Sequence, residues 1–408
     1  MRAWVKWSIA MATACAGLGA ERDAHAGNCS ALVGGAPGTV VIESGDTQEP
    51  LLKTMGQKLV NSTANPIRIL YLLTGSCTLI NDVYAGNKIT VNLSYIPTTA
   101  EDAAWTPTKP SPTCTNDITG GAPIDVAISA LFVKSCTTAM PPAGVGLITG
   151  PIQGYSFVVP KASTQVGITA EEAYFTFGFG NNDMLDSWNN EMFMFIRPTT
   201  KSTLVSLAAN IGVPPAKWKG VPEAKSTDVV AALTGSMSPD KSIGILGTEI
   251  YDANRTNLTL LAYQAYQQKH AFWPDSAPSA RDKRNIRDGH YTLWSPTVYL
   301  TNVDNNNVPT NAKVKYVLDL VLGNPTTPAF ESDGLDSVVS VGLTPDCAMK
   351  VKRSFDGGDL SLYTPAHPCG CYFESKVPMG MAPPSCMTCT DSSTCGTGKC
   401  NHGYCEVQ

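Results

Sequence analysis

Three short stretches place hydroxyls and charges where a strand is expected to pass into a helix: residues 44–47, 74–78 and 197–203. A helix start offers uncapped N–H groups and the positive end of the helix dipole, which together suit an oxyanion. Asp46, Thr47, Ser76, Ser202 and Thr203 supply short polar side chains there, and Ser129 follows at the end of another strand-like run. Arg197 adds a planar fork that can make two parallel bonds to a phosphate or carboxylate. Lys201 adds a second positive charge. The plainer alternative at each junction is a helix cap, since Ser, Thr and Asp favour such positions for that reason alone. No Gly-x-x-x-x-Gly-Lys-Ser/Thr phosphate loop is present.

The elements that position these residues follow from periodicity. Residues 39–42 predict a buried strand. Asp46 then opens a helix, with Glu49 three residues on as a capping box and Leu52, Met55, Leu59 and Val60 as its apolar face. Residues 67–73 and 124–131 predict two more strands, and 145–159 extended crossing strands. Thr169 and Glu172 form a second capping box. A short strand, 193–196, ends at Arg197. Leu204, Leu207, Ala208 and Ile211 mark a helix over 202–211 that Gly212 stops. A strand over 242–246, a Tyr- and Leu-bearing helix over 257–270 and a helix over 314–322 complete the body. Such alternation implies an α/β class with mainly parallel sheets, in which ligands sit beyond the carboxyl ends of strands.

The chain has 408 residues, enough for two domains, and 43% of them are hydrophobic. A net charge of −5 argues against nucleic acid as a partner, which needs basic stripes. Arg2 and Lys6, the apolar run 7–20 and Ala24-His25-Ala26 form a secretory signal peptide over 1–26. No later segment is apolar for long enough to span a membrane. The mature chain is therefore expected in the periplasm or outside the cell. Removing Cys15 with the signal leaves twelve of the 13 cysteines, eight of them in the last 62 residues. In an oxidising compartment these are expected as disulfides, ahead of a zinc site formed by Cys386, Cys389, Cys395, Cys400 and His402. No cofactor motif, activated nucleophile or resident metal site is visible, so an enzyme is not expected.

The order of segments resembles the PstS-type phosphate-binding proteins of ABC transporters. The residues that carry the resemblance are SGDTQEPLLKTM at 44–55, YLLTGSC at 71–77, DVAISALF at 125–132, ITAEEAYFTFGFG at 168–180, FIRPTTKSTLVSLAANIGVP at 195–214, SIGIL at 242–246 and DKRNIRDGHYTLW at 282–294. The resemblance implies a two-lobed type II periplasmic-binding-protein fold with a two-strand hinge. It implies lobe 1 from 27–150 and 295–345, lobe 2 from 151–294, and a Cys-rich extension over 346–408. It also implies a small anion such as phosphate as ligand and an ABC transporter permease as partner. Ser76, Arg197 and Thr203 match the family's phosphate ligands. Asp46 stands where the family has Thr, Ala130 where it has Asp, and Lys201 and Ser202 where it has Ser-Gly. Asp46 takes over the missing Asp's proton-accepting role, or repels an anion outright, or caps its helix and pairs with Lys201 across the cleft, filling the site with an internal salt bridge. A site filled in that way would leave an exported interaction protein with a silent cleft and a binding tail.

Overall fold

A computed structural model describes residues 27–182, 185–378, 380 and 383–406; the expected signal segment 1–26 lies outside them. The first lobe begins with α1 (Cys29–Gly34), β1 (Gly38–Gly45), α2 (Glu49–Val60), β2 (Ile67–Thr74) and α3 (Ser76–Ala85). It continues through β3 (Leu93–Tyr95), β4 (Thr113–Cys114) and β5 (Val126–Ser129). The long strand β6 (Val145–Pro160) then leaves for the second lobe. That lobe holds β7 (Gly167–Thr169), α4 (Ala170–Phe179), β8 (Met194–Ile196), α5 (Ser202–Ile211), β9 (Val221–Pro222) and α6 (Ser226–Thr234). It closes with β10 (Ile243–Gly247), α7 (Thr248–Ala253), β11 (Leu258–Leu260), β12 (Ala262–Gln264) and α8 (Arg284–Arg287). The chain returns along β13 (Trp294–Asn302) and finishes the first lobe with α9 (Ala312–Leu322) and α10 (Gly334–Ser340).

One sheet runs through both lobes in the order β4-β3-β2-β1-β5-β13-β6-β10-β8-β9. Pairing is parallel within β2-β1-β5 and β10-β8-β9, and antiparallel where β13 and β6 cross. The first part of β6 pairs with β13, and Tyr155 to Val158 pair with β10. These two strands are the crossings between lobes. Each lobe buries its own core: Val40, Ile42, Leu52, Met55 and Val317 on one side, Phe157, Phe177, Leu204 and Ile245 on the other.

Two local expectations are corrected. Residues 257–270 form strands and turns instead of a helix. Leu258 and Leu260 alternate inward and pair with Pro160 and Val158 of β6, and Gln267 takes a left-handed turn at φ 66°. A period of two was hidden by the Leu and Tyr content. Asp46 does not cap α2: it starts a single 3-10 turn (Asp46–Gln48), α2 begins at Glu49, and Glu49 pairs with Lys53. The capping box at Thr169 and Glu172 forms as the spacing predicts.

All twelve cysteines beyond residue 26 are paired, as Cys29–Cys114, Cys77–Cys136, Cys347–Cys369, Cys371–Cys386, Cys389–Cys400 and Cys395–Cys405. The sulfurs of the zinc alternative are thus consumed in disulfides. The C-terminal extension is docked on the body. In α11 (Gly370–Lys376), Tyr372 and Phe373 pack with Leu335 and Val339 of α10. A strap over 350–363 runs back to the crossing strands. Its Arg353 stacks over Trp294 at 4.2 Å, and its Asp356 accepts hydrogen bonds from Phe132 N–H, Ser135 and Ser295. Gly357 sits at φ +73° against α5, where a Cβ would come within 2.7 Å of the Ala209 carbonyl oxygen. The strap therefore touches the first lobe, a crossing strand and the second lobe.

Candidate functional site

The junctions after β1, β2 and β8 meet between the lobes. Arg197 follows β8 and is buried, with its side chain wholly covered. Its Nε donates to the Glu223 carbonyl at 3.0 Å and its Nη2 to the Ala224 carbonyl at 3.0 Å. Its Nη1 donates to the Ser226 hydroxyl. The fork is thus held rigid by the loop before α6, and Nη2 still reaches across to Asp46, 3.0 Å from Oδ2 and 3.2 Å from Oδ1.

Asp46 is gripped from the second lobe on several sides. The Ser226 hydroxyl and backbone N–H, at the first residue of α6, donate to Oδ2 at 2.9 and 3.3 Å. Lys201, just before α5, brings its Nζ to 3.4 Å from Oδ1 and donates to the Thr74 carbonyl at 2.5 Å. Burial works to raise the pKa of this carboxyl, but Arg197, Lys201 and the Ser226 bond outweigh it and hold the group below its ordinary range. Asp46 is therefore an anion at neutral pH, seated among donors supplied by the opposite lobe.

A second contact joins the lobes beside it. The Cys77 N–H, at the start of α3, donates to the Thr200 carbonyl at 3.1 Å. Gly75 permits this approach, since a Cβ there would lie 2.6 Å from the same oxygen.

The other residues singled out from sequence fall around this knot. Thr47 is buried and its Oγ1 has no hydrogen-bond partner. The Ser76 hydroxyl accepts from the Ala130 N–H at 3.1 Å. Ser129 turns to its own loop, accepting from Leu131 N–H at 3.1 Å and donating to its carbonyl at 3.0 Å. Ser202 and Thr203 are buried in the first turn of α5. Asp46, Arg197 and Lys201 are thus brought into direct contact, and the hydroxyls surround them without joining the salt bridge. In the 282–294 segment, Tyr291 is buried and donates to the Tyr155 carbonyl at 2.7 Å, while Asp288 pairs with Lys350.

Below the knot lies a polar floor absent from the sequence reading. Gln48 Nε2 donates to Gln153 Oε1 at 2.9 Å, and Gln153 Nε2 donates to Glu249 in the first turn of α7. Glu249 Oε1 and Gln48 Oε1 are buried without a partner. Burial pushes the Glu249 carboxyl up to about 8; the Gln153 bond opposes this, and the charges of Asp252 and Asp46 add to it. Glu249 is mostly protonated at neutral pH. Ser226 was also missed, although the helix start at 226, with Asp228 in its first turn, carries the same kind of signal as the three junctions chosen.

No protein-family profile matches the sequence, and no curated protein matches it. Among solved structures, the chain is similar to an ABC-type phosphate transport receptor from Vibrio cholerae, at 13% identity and a TM-score of 0.45, covering 75% of this chain and 99% of that one. It is also similar to a putative phosphate ABC transporter substrate-binding protein with bound phosphate from Clostridium perfringens, at 12% identity, a TM-score of 0.49 and the same coverage. A third is PstS from Borrelia burgdorferi, at 14% identity and a TM-score of 0.39, covering 75% and 98%.

Proposed function

We propose that the chain is an exported, non-enzymatic binding protein whose inter-lobe pocket is built for a small oxyanion and whose own Asp46 carboxylate takes that seat. The supporting observation is the set of donors on Asp46: the Arg197 fork, the Lys201 ammonium and the Ser226 N–H and hydroxyl. A phosphate or a small carboxylate makes the same demands as Asp46 does. The two cannot share the pocket while both are charged, because like charges about 4 Å apart repel by roughly 4 kcal/mol at an effective dielectric near 20. A free oxyanion enters by displacing Asp46. Thr47, Ser76, Ser202 and Thr203 are the side chains placed to meet it, and Ser129 stays with its loop. An ABC transporter permease is the partner such a protein would deliver to.

The test is calorimetric titration of the oxidised protein, wild type and Asp46→Ala, with phosphate, sulfate and small carboxylates at neutral pH. Wild type should bind weakly, and Asp46→Ala at least ten times more tightly, one anion being preferred. Equal affinity of the two proteins would remove Asp46 from the pocket. A second reading has its own observation in the strap, which fastens both lobes through Asp356 and Gly357. If neither protein binds an anion, the cleft is silent and the disulfide-rich extension carries an interaction role.

A further inference from the structure

Glu43 is a carboxylic acid in β1, among neighbours that are buried. It is itself 1% exposed. Its Oε1 accepts from the Thr74 hydroxyl at 2.7 Å, and its Oε2 is buried with no hydrogen-bond partner. Asp82, on α3, acts on the same carboxyl as a nearby charge. The half-buried Asp82 is held in turn by Asn87, whose Nδ2 donates to Oδ1 at 2.8 Å. Glu43, Thr74, Asp82 and Asn87 line one open groove of about 690 Å³ on the α3 side of the first lobe.

Ionised carboxylates are acceptors only. Two of them that face each other need a proton or a cation between them. Burial pushes Glu43 up to about 7; the Thr74 bond opposes this and Asp82 adds to it. Asp82 is half-buried at this groove, so an arriving ion meets it first and reaches Glu43 behind it by shedding water.

We propose that Glu43 and Asp82 form a binding site for a hard divalent cation of the calcium class, completed by the oxygens of Thr74 and Asn87 and by water. Calcium takes six to eight oxygen ligands in flexible geometry, and two carboxylates with two neutral oxygens leave room for the waters that complete the set. A pair of carboxylates, without the larger acidic set of a tight buffer site, fits the weak class of affinity found in extracellular modules, around 10⁻⁴–10⁻³ M. Lys88 lines the same groove and is exposed, so its ammonium is the competing cation. The site shares Thr74 with the cleft, because the Thr74 carbonyl accepts from Lys201. It does not depend on what the cleft binds.

The experiment is a thermal-shift and calorimetric titration of the full oxidised chain with calcium, magnesium or manganese chloride, up to about 10 mM, well above that class of affinity. A saturable rise in Tm with at least one cation is expected. Asp82→Asn, at a half-buried position where the fold should survive, is expected to weaken it at least tenfold, and Lys88→Ala to strengthen it. Glu43→Gln should abolish it, with circular dichroism checking the fold. No saturable response to any of the three cations overturns the proposal. A response that Asp82→Asn leaves intact overturns it as well.

Discussion

Asp46 and Arg197 meet across the cleft at 3.0 Å, and each is the other's only carboxylate–guanidinium partner among the described residues. One belongs to the turn after β1, the other to the end of β8, 151 residues later in the chain. The contact therefore exists only when the lobes are together.

Breaking this pair from one side leaves a buried charge. Asp46→Ala strands the Arg197 guanidinium, whose side chain is wholly covered, and is expected to lower stability by about 3–5 kcal/mol in the absence of anion. An oxyanion that occupies the pocket should return part of that loss, seen as an anion-dependent Tm in the variant. The pH dependence has a definite sign. The carboxyl is held below its ordinary value, so its contribution is present above pH 3.8 and disappears as pH falls through its folded value. Denaturant titrations from pH 6 to pH 3 should show a steeper loss for wild type than for Asp46→Asn.

Glu249 titrates in the opposite sense. Its carboxyl is raised from 4.5 to about 8, so the folded state holds the proton more tightly than the unfolded chain. Its contribution is complete below pH 4.5 and is lost as pH rises through about 8. Glu249→Gln should keep the Gln153 contact and remove this loss. The stabilities of wild type and variant should diverge between pH 5 and 9 in favour of the variant. Parallel curves would mean that Glu249 is ionised in the fold.

The strap is testable by opening the lobes. Asp356→Ala leaves Phe132 N–H, Ser135 and Ser295 without their acceptor, a loss of about 1–3 kcal/mol for the buried groups. Gly357→Leu is disfavoured both by the left-handed backbone and by the Ala209 carbonyl 2.7 Å from the new Cβ. Both variants should show a larger radius of gyration by small-angle scattering and faster proteolysis within 350–363. An unchanged radius with lowered stability would limit the strap to a packing role.

Much of this arrangement was legible in the sequence because it is local. Ser202 to Ile211 form a helix where the apolar spacing and Gly212 place one, and Arg197 stands at the strand end where its order among hydroxyls marks it. The internal pairing of Asp46 with Lys201 was one of three outcomes that the sequence left open, and Arg197 proved the closer partner. What was not legible depends on distant chain. Ser226 acts on Asp46 from 180 residues away. Glu249 is unremarkable in sequence and becomes a neutral acid only because Gln153 and the cleft floor bury it. Leu258 and Leu260 carry a strand that is evident only once β6 lies beside them.

The strap also has a consequence in time. Synthesis runs from the N-terminus, and domains form as their residues become available. Both lobes are complete by Thr344, which pairs with Ile152 of β6, whereas Arg353, Asp356 and Gly357 come later. Every nascent molecule thus passes through a stage in which two finished lobes face each other with nothing fastening their back. A chain ended after residue 345 would stand for that stage, with Leu335 and Val339 stripped of Tyr372 and Phe373, and comparing it with the whole protein would separate what the lobes do alone from what the last residues made allow them to do.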